Sequence, residues 1–120
     1  MTAADSNLEE QLPLTPAVFH ILLALAEGPM HGYGVMKEVK GLTEGQVEMG
    51  PGTLYGTIKR LLQDGLIVET EAPPGEDLDN RPRRYYRLTT SGESLLRADA
   101  ARLEALVRVA RQRDLLAGAG

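Results

Sequence analysis

A mainly α-helical fold with one small β-hairpin is predicted by three observations. Apolar residues recur at helical spacing in four stretches, at about 16–27, 33–42, 51–64 and 91–116. Two strand-like runs, 66–70 and 83–88, flank a segment rich in Pro, Gly, Asp and Asn, which reads as a hairpin. The third helix runs straight into that hairpin. The order helix, helix, small-and-basic helix, hairpin is a winged helix-turn-helix, here followed by a long C-terminal helix.

The elements follow in order. Residues 1–13 are polar, small and aperiodic, and are expected to form a flexible arm. Thr15-Pro16 is a hydroxyl N-cap followed by Pro at the first helical position. The helix it opens is apolar nearly all round (Val18, Phe19, Ile21, Leu22, Leu23, Leu25), so it must be covered on more than one side. Gly28-Pro29 stops it. His31 is placed to cap a second helix, with Tyr33, Met36 and Val39 expected inward. Pro51 opens the third helix and Gly65 closes it as a left-handed cap. In the hairpin, alternation assigns Tyr86 and Leu88 to the core and Tyr85, Arg83 and Arg87 to the other face. Thr90-Ser91-Gly92-Glu93 reads as a capping box for the last helix. The implied division is an arm at 1–13, a winged helix-turn-helix at 14–90 and a C-terminal helix at 91–120.

Composition sets outer limits. A chain of 120 residues suits one domain, and 42% hydrophobic with 25% charged residues is ordinary for a globular protein. There is no cysteine, hence no disulfide or thiol chemistry, a mild pointer to the cytoplasm. The apolar run at 17–26 is broken by His20 and is too short for a bilayer. Residues 1–11 carry Asp5, Glu9 and Glu10 without a base, the wrong charge for a secretory signal.

Net charge is −4, but its distribution matters more than its sum. Residues 1–50 hold seven acids and two bases. Segments 53–60 and 81–87 together hold Lys59, Arg60, Arg81, Arg83, Arg84 and Arg87 and no acid. In the third helix Leu54, Ile58, Leu61 and Leu62 form one apolar stripe. The opposite face offers Gly52, Thr53, Gly56, Lys59, Arg60 and Gln63. Such a face suits a DNA major groove, although the plain alternative is a solvated surface helix. The hairpin tip carries Glu76, Asp77 and Asp79, which phosphate would repel, so its basic base is the better contact.

The last helix repeats Leu96, Ala100, Leu103, Val107 and Ala110 at coiled-coil spacing, with Leu95, Leu106 and Val109 on a second edge. One small domain cannot cover it, so a second copy of the chain is expected there, with Phe19 and Leu23 of the first helix adding to the interface.

These pieces in order resemble the PadR family of bacterial transcriptional regulators. The matching stretches are Leu14-Thr15-Pro16, Glu27-Gly28-Pro29-Met30-His31-Gly32-Tyr33-Gly34, Gly52-Thr53-Leu54-Tyr55, Leu61-Leu62-Gln63-Asp64-Gly65-Leu66-Ile67 and Arg83-Arg84-Tyr85-Tyr86-Arg87-Leu88-Thr89-Thr90-Ser91-Gly92. The resemblance implies a short form whose terminal helix dimerises, a cytoplasmic repressor on a pseudo-palindromic operator, associated with the nucleoid when bound. It also implies release by a small hydrophobic or aromatic effector. Thr53, Gly56 and Thr57 would lie toward the groove. Tyr55, on the flank of the apolar stripe, would be half buried with its hydroxyl reaching phosphate, a purely packing role being the alternative. Lys59, Arg60, Arg81, Arg83, Arg84 and Arg87 would meet phosphate. Phe19 and Tyr33 are candidates for an effector pocket, with a plain core role as the alternative.

Two other classes fit less well. A winged-helix protein-interaction module would want an acidic or apolar face on the third helix, and the sequence has the reverse. An enzyme needs a base or nucleophile held in a pocket. His20 and His31 lie on or beside apolar helix segments, while Ser6, Ser91 and Ser94 fall in the arm and the last cap. Neither Gly32-Tyr33-Gly34 nor Gly50-Pro51-Gly52 completes a nucleotide-binding motif, and no cofactor or metal site is expected.

Overall fold

The computed structural model describes residues 10–75 and 83–117. Arg81, the acids Glu76, Asp77 and Asp79 and most of the expected arm lie outside the described residues.

Among the described residues, four longer helices and three short strands follow in the order α1 (Pro16–Leu25), β1 (Met30–His31), α2 (Gly32–Leu42), α3 (Pro51–Gln63), β2 (Ile67–Thr70), β3 (Tyr85–Leu88) and α4 (Thr90–Gln112). The fold is thus mainly helical with a small antiparallel sheet. The sheet has three strands in the order β1-β3-β2, so the expected hairpin gains an extra edge strand. That strand pairs Met30 with Tyr86 and His31 with Tyr85.

The caps explain the helix limits. The Thr15 hydroxyl accepts from the Val18 amide, with Pro16 at the first helical position. α1 stops at Leu25, two residues short of expectation, because Glu27 and Gly28 donate to Ala24 and Leu25 in tighter i,i+3 bonds and Gly28 turns to a φ of 149°. His31 caps α2 through Nδ1, 3.0 Å from the Gly34 amide. Gly65, with a φ of 72°, ends α3 as read. The cap of α4 is Thr89, not Thr90. Its hydroxyl accepts from Gly92 and donates to the Gly65 carbonyl, tying the start of α4 to the end of α3. α4 ends at Gln112, before the expected 116, where Asp114 takes a φ of 59° and Leu115 bonds back to Ala110.

One core joins all of these. Ile21 and Leu22 of α1, Val35 and Val39 of α2, Leu54, Ile58 and Leu61 of α3, Ile67, Tyr86 and Leu95 are all buried in it. α1 lies at the centre and touches α2, α3, α4 and β3, which accounts for its all-round apolarity. Leu88 packs on the core as expected.

Three expectations of burial need correction. Tyr33 is 54% exposed, because the inward stripe of α2 is set by Val35 and Val39 and Tyr33 falls out of phase with it. Tyr85 is buried, since the added strand brings the His31 ring edge-on against it at 5.3 Å. Leu96, read as part of an intermolecular seam, is covered by the chain's own core, because the first turns of α4 lie on α1.

Candidate nucleic-acid interface

The buried stripe of α3 fixes which face it shows. Leu54, Ile58 and Leu61 turn inward, leaving Gly52, Thr53, Tyr55, Gly56, Lys59 and Arg60 exposed. Thr57 is half-buried, and its hydroxyl donates to the Thr53 carbonyl at 2.7 Å, so it serves its own helix first. Lys59 and Arg60 make no ion pair among the described residues. A Cβ built on Gly52 or Gly56 meets nothing within 4 Å. Neither glycine is therefore required by packing inside the chain. Their bare backbone leaves this side of α3 open to close approach from outside.

Tyr55 forms the border of this face. Its side chain is half-exposed, with the ring set against Gly32 at the start of α2. There the wing arrives. Tyr55, Tyr86, Gly32, His31, Tyr33, Arg83 and Arg84 line one cleft of about 620 Å³. Aromatic walls, two guanidinium groups and a helix start give it the character of an anion-accepting surface.

The wing arginines do not share a direction. Tyr86 stands across from Glu69, and Arg84 lies two residues before Tyr86, so Arg84 reaches the same face and sits 3.5 Å from the Glu69 carboxylate. Arg83 turns instead toward β1, 2.8 Å from His31 Nε2, so the two guanidinium groups line the cleft from different sides. Arg87 is exposed, pairs with Val68 in register, and donates to the Leu88 carbonyl. Burial pushes the Tyr86 phenol above its usual range, with the Glu69 charge adding to the rise and Arg84 opposing it.

The structure brings two further residues to this surface, Tyr33, expected inward or in an effector pocket, and Lys37, which the sequence did not single out. Tyr33 stacks on His31 at 6.3 Å, and the Lys37 ammonium lies 5.6 Å above the Tyr33 ring. Tyr33 and Lys37 thus extend the cationic, aromatic surface along α2. The signal was the Val35–Val39 pair, whose phase puts Tyr33 outside. Phe19 and Tyr33 do not come together. Phe19 meets His20 edge-on and packs on the core, while Tyr33 belongs to the wing cleft.

The far end of α4 is a separate apolar surface. Leu106, Val107 and Val109 are exposed, as are Leu115 and Leu116 beyond it, while Leu103 and Ala110 are half-covered and Ala100 is open. Leu23 on α1 is also exposed and Phe19 half-buried. Near the same region Asp99 is buried and accepts from Arg102 Nε at 2.7 Å. Among the described residues no group of His, Asp or Glu is placed to hold a metal ion, and no helix is long and apolar enough to cross a membrane.

Comparison with known proteins gives consistent results. The model of the transcriptional regulator PadR-like family matches residues 21–98. The transcriptional regulator Rv3488 of Mycobacterium tuberculosis is 38% identical over 89 residues, spanning 74% of this chain and 77% of that protein. A PadR-like transcription factor from Bacteroides fragilis, of known structure, superposes with a TM-score of 0.63 at 28% identity, covering 88% of this chain and 97% of the other. Bacillus subtilis PadR, solved in complex with operator DNA, has the same fold, with a TM-score of 0.58 at 24% identity over 72% of this chain and 46% of that one.

Proposed function

Because this chain belongs to the PadR-like family of transcriptional regulators, we propose that it represses transcription as a homodimer bound to a pseudo-palindromic operator. Regulation of transcription, not catalysis, is the activity of the family. One observation carries the DNA-binding reading. The exposed face of α3 joins small groups, two cations and two glycines with no packing duty to a wing cleft that holds Arg83 and Arg84. The operator complex of Bacillus subtilis PadR supports the same use of the fold.

In this reading α3 enters the major groove. Thr53 and Gly56 lie nearest base edges, with Tyr55 and Thr57 on the flanks. Lys59, Arg60, Arg83, Arg84 and Arg87 meet phosphates, as does Arg81, and supply most of the affinity without sequence information. Tyr33 and Lys37 extend that contact along α2. The winged helix-turn-helix of residues 14–90 reads one half-site. The outer part of α4, through Ala100, Leu103, Val107 and Ala110, pairs with a second copy, aided by Phe19 and Leu23. Two copies related by a twofold axis then meet half-sites about one helical turn apart. A small hydrophobic or aromatic effector at the α1–α4 interface would release the operator by changing that spacing.

An unbiased selection of duplexes bound by the full chain tests this. Enrichment of an inverted repeat with half-sites about one turn apart is the expected result. Failure to enrich any sequence overturns the proposal.

A further inference from the structure

The cations assigned to phosphate are not equally available. Arg84 is engaged within the chain, 3.5 Å from the carboxylate of Glu69. The strand register explains the pairing. Glu69 stands directly across from Tyr86, so the two side chains leave one face of the sheet. Arg84, two residues before Tyr86, is the diagonal neighbour of Glu69 on that face. This is also the face that turns Ile67 and Tyr86 inward and continues into the cleft beside Tyr55. No acid lines the cleft itself among the described residues, and Glu69 stands at its edge.

Both partners are accessible, with side chains 79% and 52% exposed. In water such a pair is weak and yields readily to a competing anion. A DNA phosphate arriving at Arg84 meets a guanidinium already paired and a second negative charge beside it. We propose that Glu69 sets the affinity of this protein for DNA, as an internal stand-in for phosphate that holds Arg84 until DNA displaces it. The inference rests on the DNA-binding reading above.

The consequence is independent of sequence, because phosphates carry no base information. Glu69 lowers affinity for every duplex alike. It keeps non-specific binding low, since there phosphate contact supplies essentially all of the attraction. Sites with good base contacts still bind, because those contacts are untouched.

The test is a double-mutant cycle on the full chain, with binding to a selected duplex and to a random duplex of equal length followed by anisotropy across a salt series. Glu69→Gln is expected to bind both duplexes about two- to fivefold more tightly per half-site at low salt. The gain should shrink with added salt and largely vanish when Arg84 is already replaced by Ala. No gain for Glu69→Gln overturns the inference. So does an equal gain in the Arg84→Ala background, which would mean simple repulsion of DNA by Glu69. If the parent chain binds no duplex, the DNA-binding reading falls and this inference falls with it, so the two failures are distinguishable. Glu69→Gln keeps the side-chain shape at an exposed site, and an unchanged melting curve checks that the fold is intact.

Discussion

The ring of Tyr55 rests against the bare backbone of Gly32. A Cβ on Gly32 would lie 2.6 Å from both Cε1 and the hydroxyl of Tyr55, closer than any real contact allows. The two residues begin α2 and border the exposed face of α3, so their contact joins the two helices beside the face proposed to meet DNA. Gly32→Ala should therefore displace the ring. Tyr55 is half-exposed and can swing outward, so the stability cost should stay near or below about 1 kcal/mol. Affinity for the selected duplex should fall more than stability does. Chemical unfolding and anisotropy on the same variant compare the two. Parental affinity in Gly32→Ala would show that the position of the Tyr55 ring is irrelevant to binding.

Two other glycines should respond in opposite ways. A Cβ on Gly92 would run into the backbone carbonyl oxygen of Leu66, which cannot swing aside. Gly92→Ala should cost about 3 kcal/mol or more, because α4 must lift from the turn that Thr89 ties to it. Gly56→Ala meets open space in the middle of a helix. It should stabilise the fold by roughly 0.5–1 kcal/mol while weakening DNA binding. A Gly56→Ala protein that is more stable and binds as tightly as the parent would place base contact elsewhere on α3.

Much of this was legible because the signals were local. Thr15-Pro16, Pro51 and Gly65 mark helix limits through their own backbone chemistry, and the stripe of Leu54, Ile58 and Leu61 shows which face of α3 is free. What was missed is non-local. Met30 and His31 become a strand through their pairing with Tyr86 and Tyr85, more than fifty residues away, and nothing in two residues after a proline announces it. The burial of Tyr85 follows from that same pairing. Leu96 carries correct coiled-coil spacing, but spacing cannot tell the chain's own α1 from a partner's helix. The choice between Thr89 and Thr90 as cap is a one-residue matter that the Gly65 carbonyl decides.

Tyr86 makes stability depend on alkaline pH. Burial, and then the charge of Glu69, raise its phenol above the ordinary 10.0. The folded state thus holds the proton more tightly than the unfolded state. The stabilisation is complete below pH 10 and is lost as pH climbs from there through the folded-state pKa. Thermal melts of the parent should fall off above that pH, and those of Tyr86→Phe should fall off less steeply. Identical pH profiles would mean that the buried phenol has no part in the loss.

The apolar outer turns of α4 give the proposed dimer its test. Val107 is exposed in the single chain, as are Leu106 and Val109. Val107→Asp should leave the core intact, because the side chain does not enter it. In a seam, an unpaired carboxylate costs several kcal/mol or is forced to protonate. The variant should run as a folded monomer in sizing chromatography with light scattering, and Leu103→Asp should behave likewise. Val107→Asp that remains a dimer would move the assembly surface to α1, around Phe19 and Leu23.

The salt dependence of binding to the selected duplex tests DNA recognition by α3 and the wing without intermediaries. The exposed cations of α3 and the wing predict that log K falls steeply and linearly with log salt, because each neutralised phosphate contributes roughly −0.9 to the slope. Replacing Lys59 by Ala should reduce the slope without changing which sequence is preferred, whereas replacing Thr53 should change the preference and leave the slope alone. A flat response in the parent chain, with binding indifferent to salt and to the loss of Lys59, would rule out phosphate contact by these cations.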